Sequence, residues 1–291
     1  MSTAHDAPAL TPEATATYRR HVEDAAHFVR ERAERTPTLG LVLGTGEGSR
    51  PPALTVSAEW AFDAIPHFPA ADEDGTLAVG TLADTPVAVL DGPLSLYGGY
   101  TARQVAFPIR MLGEVGVERL IFTNVAGSVH PEVDPSDLFL VTDHINFQGM
   151  NPLVGPNVEE WGPRFPDMTD PYDPDLRQTA EAAALREGIR LQKGIYFATL
   201  GPNLGTQAEY RMVRTLGADV VGTDTVPEVI AGRHMDLQVL TVSVIADRCS
   251  PDAVSPVSTG ELTEAVETAR PQLRRLLGEI AADVDVETEP A

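Results

Sequence analysis

The chain has 291 residues, 43% of them hydrophobic, which is enough to bury one sizeable core. Forty-three acids against 21 bases give a formal net charge of −22, a field that repels nucleic acid and anionic membranes, so neither is expected as a partner. No apolar run approaches the ~18–20 residues of a membrane span, and the single cysteine, Cys249, excludes an internal disulfide framework and a cysteine-based zinc site. The opening MSTAHDAPALTPEA has no basic or apolar segment of a secretion signal, so the expected location is the cytoplasm.

In chain order, residues 1 to about 12 read as a loose end, as does the closing VETEPA. A helix is predicted from TPEATATYRRHVEDAAHFVRERAERT, with Thr11 as N-cap and Pro12 in the first position; His21 and His27 read as surface residues on it. Strands follow at LGLVLG (39–44) and VAVLDG (87–92). The segment ARQVAFPIRMLGEVG is helix-like, with Pro108 expected to bend or break it. A third strand is RLIFTNVAG (119–127). The Pro-rich stretch 151–174 reads as a long irregular loop of the kind that is often functional. The helix-like DPDLRQTAEAAALREG precedes the strand IYFATLG (195–201). Next, TQAEYRMVRTLG carries a capping box, Thr206 with Glu209, and a closing Gly217. The last strand is LQVLTVSVIAD (237–247), and the last helix starts near Ser258, whose capping-box partner is Glu261.

These apolar runs hardly alternate, as expected of strands covered on both faces. Strands interleaved with helices argue for an α/β layered fold with a mostly parallel core sheet, and no linker divides the chain, so 1–291 is expected to be one domain. Ligands of such sheets sit at the carboxyl ends of the strands. Here those ends are small-residue turns: GTGEGS, DGPLSLYGGY, NVAGS, GPNLGT and ADRCS. One more turn, within VVGTDTVPEV, presents Asp224 between two threonines. The Gly-rich turn at 44–48 alone is a weak anion-binding signal, because it lacks both the dinucleotide spacing and a Walker lysine.

Together the turns are more specific. LVLGTGEGS, IPHFP, YGGY, FPIRMLGEVGVERLIFTNVAGSV, DHINFQGMNPLVGPN, RFPDMTDPYD, YRMVRTLGADVVGTDTVPEVIAGRH and SVIAD occur in this order. Over about residues 20 to 280 the chain resembles the trimeric purine nucleoside phosphorylase family, which includes methylthioadenosine phosphorylases. The resemblance implies a twisted mixed central sheet partly closed into a barrel and flanked by helices. It also implies a homotrimer and a small-molecule substrate built of base, ribose and phosphate. Neither cofactor nor metal is implied.

The site positions that the resemblance implies depart from the family's pattern. Thr45 matches the phosphate-binding hydroxyl of the first glycine loop, where Glu47 adds negative charge. The family's phosphate-binding Arg and His fall on Pro93 and Ser95, a backbone amide near Val125 is retained, and Asp224 stands where a hydroxyl should be. Two anions ~4 Å apart repel by about 1 kcal/mol even in water, so the phosphate site reads as dismantled. On the base side, the purine-reading Glu falls on Gly205. The polar pair after the last strand reads Ala246-Asp247, and an acid at the second place resembles the 6-aminopurine enzymes. There a protonated carboxyl gives its proton to the leaving base, which requires a raised pKa. On the sugar side Tyr97 matches a family tyrosine, and Thr223 replaces a methionine. The family's late histidine has no clear counterpart; Glu261 lies nearby. Phe165 matches an aromatic that reaches into the neighbouring subunit's site. Leu204, Val221 and Gly222 complete the expected substrate-binding set.

Structural roles compete with these. Asp224 also suits a turn cap, and Asp247 a structural hydrogen bond. Tyr97 suits packing as well as contact. His144, Asn124 and Glu209 read as scaffold, Cys249 as a small half-buried residue, and His67 as a loop residue near the site. Three functions stay open. One is cleavage of a glycosidic C–N bond by water, with Asp224 handling the water and Asp247 the leaving base. A second is phosphorolysis with Arg103 or Arg248 swinging in as a new ligand. The third is a fold turned to another small molecule in specialised metabolism, or to binding without turnover.

Overall fold

The computed structural model of the chain describes residues 10–44, 49–69, 75–92, 94–250 and 256–286. The expected loose ends lie almost wholly outside them. Helix α1 (Pro12–Arg30) starts as its sequence directs: Thr11 Oγ1 accepts from Ala14 N at 3.1 Å, and Pro12 needs no donor there. It buries Val22, Ala25, Ala26 and Val29, one stripe at helical spacing.

The expected strands are all present: β1 (Leu39–Leu43), β4 (Thr85–Asp91), β5 (Arg119–Ser128), β7 (Leu191–Ala198) and β9 (Gln238–Arg248). The structure adds β2 (Thr55–Ala61), β3 (Thr76–Leu82), β6 (Leu138–Asn146) and the short β8 (Val220–Gly222). Among the described residues they form one sheet in the order β2-β3-β4-β1-β5-β8-β7-β6-β9, and β9 also pairs with β5. That last pairing closes β5, β8, β7, β6 and β9 into a five-stranded barrel. β1 lies parallel to β4 and β5, and β5 parallel to β9, while β5–β8 and β6–β9 are antiparallel, so the sheet is mixed.

Helices cover both faces. On one side α1 packs on α2 (Ala102–Val115), which packs on α5 (Val226–His234). On the other, α3 (Pro174–Glu187) packs on α6 (Thr259–Val286). The strands alternate between the two cores: Leu39, Leu41 and Leu43 of β1 face α3 and α6, while Val42 faces the other layer. Pro108 does not break α2. Val105, Ala106, Ile109 and Leu112 around it are buried, and their packing offsets the one hydrogen bond that proline cannot make. α4 (Gln207–Thr215) begins with the expected capping box: Glu209 N donates to Thr206 Oγ1, and Thr206 N donates to Glu209 Oε2. Residues 147–173 contain no helix or strand, as the proline content of 151–174 predicts. Among the described residues no helix is long and apolar enough to cross a membrane.

Candidate active site

β1, β4, β5 and β9 run parallel, so their carboxyl ends point the same way, and β8 runs back along β5 so that the turn after it reaches Asn124. The turn after β8 is the most constrained. Gly222 is required there, since a Cβ would lie 2.2 Å from Tyr196 Oη. That hydroxyl instead faces the Asp224 backbone, donating to its carbonyl (3.3 Å) and lying 3.4 Å from its amide. Val226 N donates to Asp224 O at 3.0 Å, across a single residue. The residue spanned, Thr225, has φ +78° and ψ −42°, which makes a γ-turn of the strained, positive-φ kind. A β-branched side chain in that conformation costs on the order of 1–3 kcal/mol.

Neighbouring elements hold the strain in place. Asn124 Nδ2 on β5 donates to Thr225 Oγ1 (2.9 Å), and Gln148 Nε2 donates to Thr223 O (2.7 Å) and Thr199 O (3.2 Å). Thus Asn124 is scaffold, as its sequence position suggests. Gln148 was not legible as a clamp, because its partner Thr223 lies 75 residues away in sequence.

The clamped turn presents a carboxyl. Asp224 Oδ2 accepts from Thr223 Oγ1 at 3.4 Å, and Asp224 Oδ1, shielded from solvent, has no partner among the described residues. Burial pushes the Asp224 carboxyl up to about 6, against the Thr223 hydrogen bond. A second acid that sequence reasoning missed stands one turn on. Glu228, 2% exposed, also has an unpartnered oxygen, Oε1. Burial, and then the Asp224 charge, hold it well above the ordinary carboxylate range. Tyr196 likewise lay outside the expected set. Glu228 and Tyr196 sit in apolar runs, and the sequence gives no signal that separates them from core.

The sugar-side pair does meet. A Cβ on Gly201 would lie 2.7 Å from Thr223 Cγ2 and 3.7 Å from Tyr97 Cβ, so both residues border the same glycine. Ser95 precedes the 3-10 turn Leu96–Gly98 and accepts Gly98 N–H through its carbonyl. Val125 turns its side chain to the core beside α6, leaving only backbone for a ligand, and Val221 packs against the small core around Phe197. Thr45, Glu47 and Pro93 lie outside the described residues.

At the other end of the site, half-buried Asp247 is the last residue but one of β9, opposite Gly127 and next to a bulge in the β5–β9 ladder. Cys249 is fully buried rather than half-buried, and its thiol donates to Asp247 Oδ2 at 3.4 Å. Gly205 N donates to Tyr210 Oη at 3.0 Å, and a Cβ on Gly205 would lie 2.6 Å from the Tyr210 ring. Glycine at this position is therefore a steric requirement of Tyr210. Leu204 beside it is exposed.

The expectations for Arg103, Arg248 and His67 are corrected, and that for His144 holds. Arg103 does not swing into the site. It is held by Thr15 Oγ1, Val154 O and Pro156 O on the α1 side. Arg248 is ion-paired with Asp134. His67 belongs to α1 rather than to the site, stacked on His21 at 3.9 Å with Nε2 3.2 Å from Asp24. His144 is scaffold, 3.0 Å from Tyr172 Oη, with burial lowering its pKa. Phe165 is 87% exposed and lines a surface cavity of about 450 Å³ with His144, Asn146 and Ile230. Among the described residues no three or more His, Cys, Asp or Glu side chains are grouped to hold a metal ion.

Residues 38–282 match the family model described as the phosphorylase superfamily. The chain is 39% identical over 267 residues to purine nucleoside phosphorylase 1 of Bacillus subtilis (strain 168), covering 91% of this chain and 98% of that one. It is 37% identical over 274 residues to the purine nucleoside phosphorylase of Bos taurus, covering 91% and 95%. The chain belongs to the purine nucleoside phosphorylase family. The fold agrees: a Schistosoma purine nucleoside phosphorylase solved with hypoxanthine superposes with a TM-score of 0.85 at 30% identity, covering 97% of this chain and 99% of that one. The Schistosoma mansoni enzyme solved with inosine gives 0.84 at 29% identity.

Proposed function

We propose that the chain cleaves the C–N glycosidic bond of a purine nucleoside, with water as the sugar's acceptor. The observation that carries this is Asp224. A carboxyl shielded from solvent, with one unpartnered oxygen and a pKa of about 6, is poised to accept a proton from water near neutral pH. In this reaction the water oxygen bonds to the anomeric carbon as the bond to the base nitrogen breaks. The bonding pair leaves with the base, Asp224 takes the water's proton, and Asp247 protonates the base. A carboxylate at the sugar also stabilises the cationic character that develops there. Tyr97 and Thr223 border the sugar, and Leu204, Val221 and Gly222 line the rest. Ser95 and the backbone at Val125 stand on the acceptor side, the side to which the sequence also assigns Thr45.

The names of the relatives favour a second reading, phosphorolysis. The two are separated by incubating the protein with inosine, adenosine or guanosine, with and without phosphate, and measuring the sugar product. Free ribose at a rate independent of phosphate is the expected result. Ribose 1-phosphate formed only with phosphate establishes phosphorolysis instead, and no base release from any of the three points to a repurposed fold.

We further propose one domain over 1–291, a cytoplasmic location and a homotrimer. The exposed Phe147, Met150, Val154 and Phe165 support self-association on the face around the 450 Å³ cavity. Light scattering at micromolar concentration that gives the monomer mass of 31.2 kDa defeats the trimer.

A further inference from the structure

Behind the 203–206 loop four groups stand in one line. Gly205 N donates to Tyr210 Oη at 3.0 Å. The Tyr210 phenol meets the Cys249 thiol in the small core that they share. Cys249 Sγ donates to Asp247 Oδ2 at 3.4 Å. The amide at one end can only donate, and Asp247 Oδ2 accepts at the other. The protons at the two ends are thereby placed, amide to phenol and thiol to carboxyl, which leaves the phenol its own proton to offer the thiol. Such chains polarise cooperatively. Tyr210 and Cys249 are 5% and 4% exposed and sit in a small core with Val129, Phe197, Val213 and Ala218. Burial pushes the thiol up to about 12, so it stays a donor at neutral pH.

Three elements meet to build this line, and two glycines make room for it. Tyr210 comes from α4, and a Cβ on Gly205 would strike its ring at 2.6 Å. Cys249 follows β9, and a Cβ on Gly127 of β5 would lie 2.4 Å from its sulfur. Gly127 is the residue paired with Asp247. One oxygen of Asp247 is thus held from behind. The other, Oδ1, accepts from no described residue.

We propose that Cys249 and Tyr210 are positioning residues, which hold the Asp247 carboxyl in one orientation and tie it to the 203–206 loop, so that loop order and presentation of Asp247 to a purine base are one event. This rests on the reading of Asp247 as the base contact. It explains why this chain keeps glycine at 205: the space of a side chain there is occupied by the phenol that anchors the loop.

Two measurements test it. Cys249 is the only cysteine, so the S–H stretching band in the infrared reports this one bond. In Asp247→Ala and in Tyr210→Phe the band is expected to shift toward that of a thiol with a weaker or absent partner. Calorimetric titration with adenine is the second. Cys249→Ala is expected to weaken adenine by ~5–10-fold, as for one modest hydrogen bond. Cys249→Ser, which keeps a donor, should stay within ~3-fold of wild type. Tyr210→Phe removes a single oxygen and carries the same test if Cys249→Ala does not fold.

A band unmoved by Asp247→Ala overturns the relay. So does an adenine affinity untouched in Cys249→Ala and Tyr210→Phe when Asp247→Ala reduces it; those variants would then lower only the melting temperature, as mere packing does. If Asp247→Ala itself leaves adenine binding unchanged, or wild type binds none, the base-side reading of Asp247 fails, and the positioning role fails with it even if the band shifts.

Discussion

Helix α5 carries buried charge at both ends, and the two ends are finished differently. At its start stand Asp224 and Glu228; at its last turn Arg110 donates to Ala231 O at 3.1 Å. The signs agree with the helix dipole, which favours anions at the N-terminus and cations at the C-terminus. At the cationic end the guanidinium of Arg110 is engaged, while Arg233 Nε and His234 Nδ1 beside it are buried without a partner among the described residues. The Arg110 guanidinium lies 4.9 Å from the centre of the Trp161 ring, Arg103 bonds two carbonyls and Thr15, and Tyr18 Oη donates to Arg103 O at 2.8 Å. Burial lowers Arg110 to about 10, which leaves it charged, and takes His234 to about 4, which leaves it neutral. The anionic end has an unpartnered oxygen on each acid, beside a strained γ-turn. The dipole explains the signs at both ends. It does not explain the difference in chemistry: the anionic end leaves carboxyl oxygens that can take a proton or a hydrogen bond from a group outside the chain, whereas at the other end the guanidinium is already engaged.

The sharpest way to break this contrast is to remove the open acid. Asp224→Ala is expected to lower kcat by ~10²-fold or more, as for loss of a general base, with the fold retained. In wild type, activity should rise with pH through about 6 as Asp224 ionises. A rate unchanged in Asp224→Ala makes the carboxyl a turn cap and nothing more. At the cationic end the effect should move to stability. Arg110→Ala removes a charge-assisted hydrogen bond, an aromatic contact and buried volume, together worth about 2–4 kcal/mol in chemical denaturation. Its activity per folded molecule should stay within ~2-fold. An equal loss of activity at both ends would erase the distinction.

The open end should also be costly to the fold, with a defined pH dependence. The folded-state pKa of Asp224 is raised, to about 6. Its contribution to stability is therefore fully present below the unfolded value, ~3.9, and is lost as pH rises through about 6. Asp224→Asn has no such loss. It should be more stable than wild type by about 1–2 kcal/mol at pH 8, after allowance for partial exposure, and nearly equal at pH 4. A gain that is the same at both pH values would mean that the carboxyl is not strained by burial.

How much of this was legible follows from where each signal lies. The strands β1, β4, β5, β7 and β9 show as apolar runs because both faces are covered. β2 escaped because it is mostly exposed, and β8 because it is three residues long. α5 escaped because it is buried all round and so has no amphipathic period, and because it opens on Thr225 without a side-chain cap. In the site, Asp224 and Asp247 show because each is an acid in a small-residue turn at a strand end. Glu228, Tyr196 and Gln148 do not show. Their roles depend on partners brought together by barrel closure, as with Asn124 and Thr225, which bond across 101 residues of sequence. Cys249 shows only as a half-buried residue, and its burial and its bond to Asp247 depend on the core that forms behind the end of β9.

The smallest expected effect tests what holds the γ-turn. Thr225 is 3% exposed, and its hydroxyl is the acceptor for Asn124 Nδ2. Thr225→Val keeps shape and branching but leaves the buried amide of Asn124 without that acceptor, a cost of about 1–2 kcal/mol. Thr225→Ser keeps the acceptor and removes the branch that makes positive φ unfavourable. Relief of strain and loss of a methyl then nearly cancel, to within about 0.5 kcal/mol. If the Asn124 bond is what pins the turn, Val should lower both stability and activity, because Asp224 moves with Thr225, while Ser should leave activity intact. Equal behaviour of Val and Ser in both assays would show that Tyr196 and Gln148 hold the turn without Asn124.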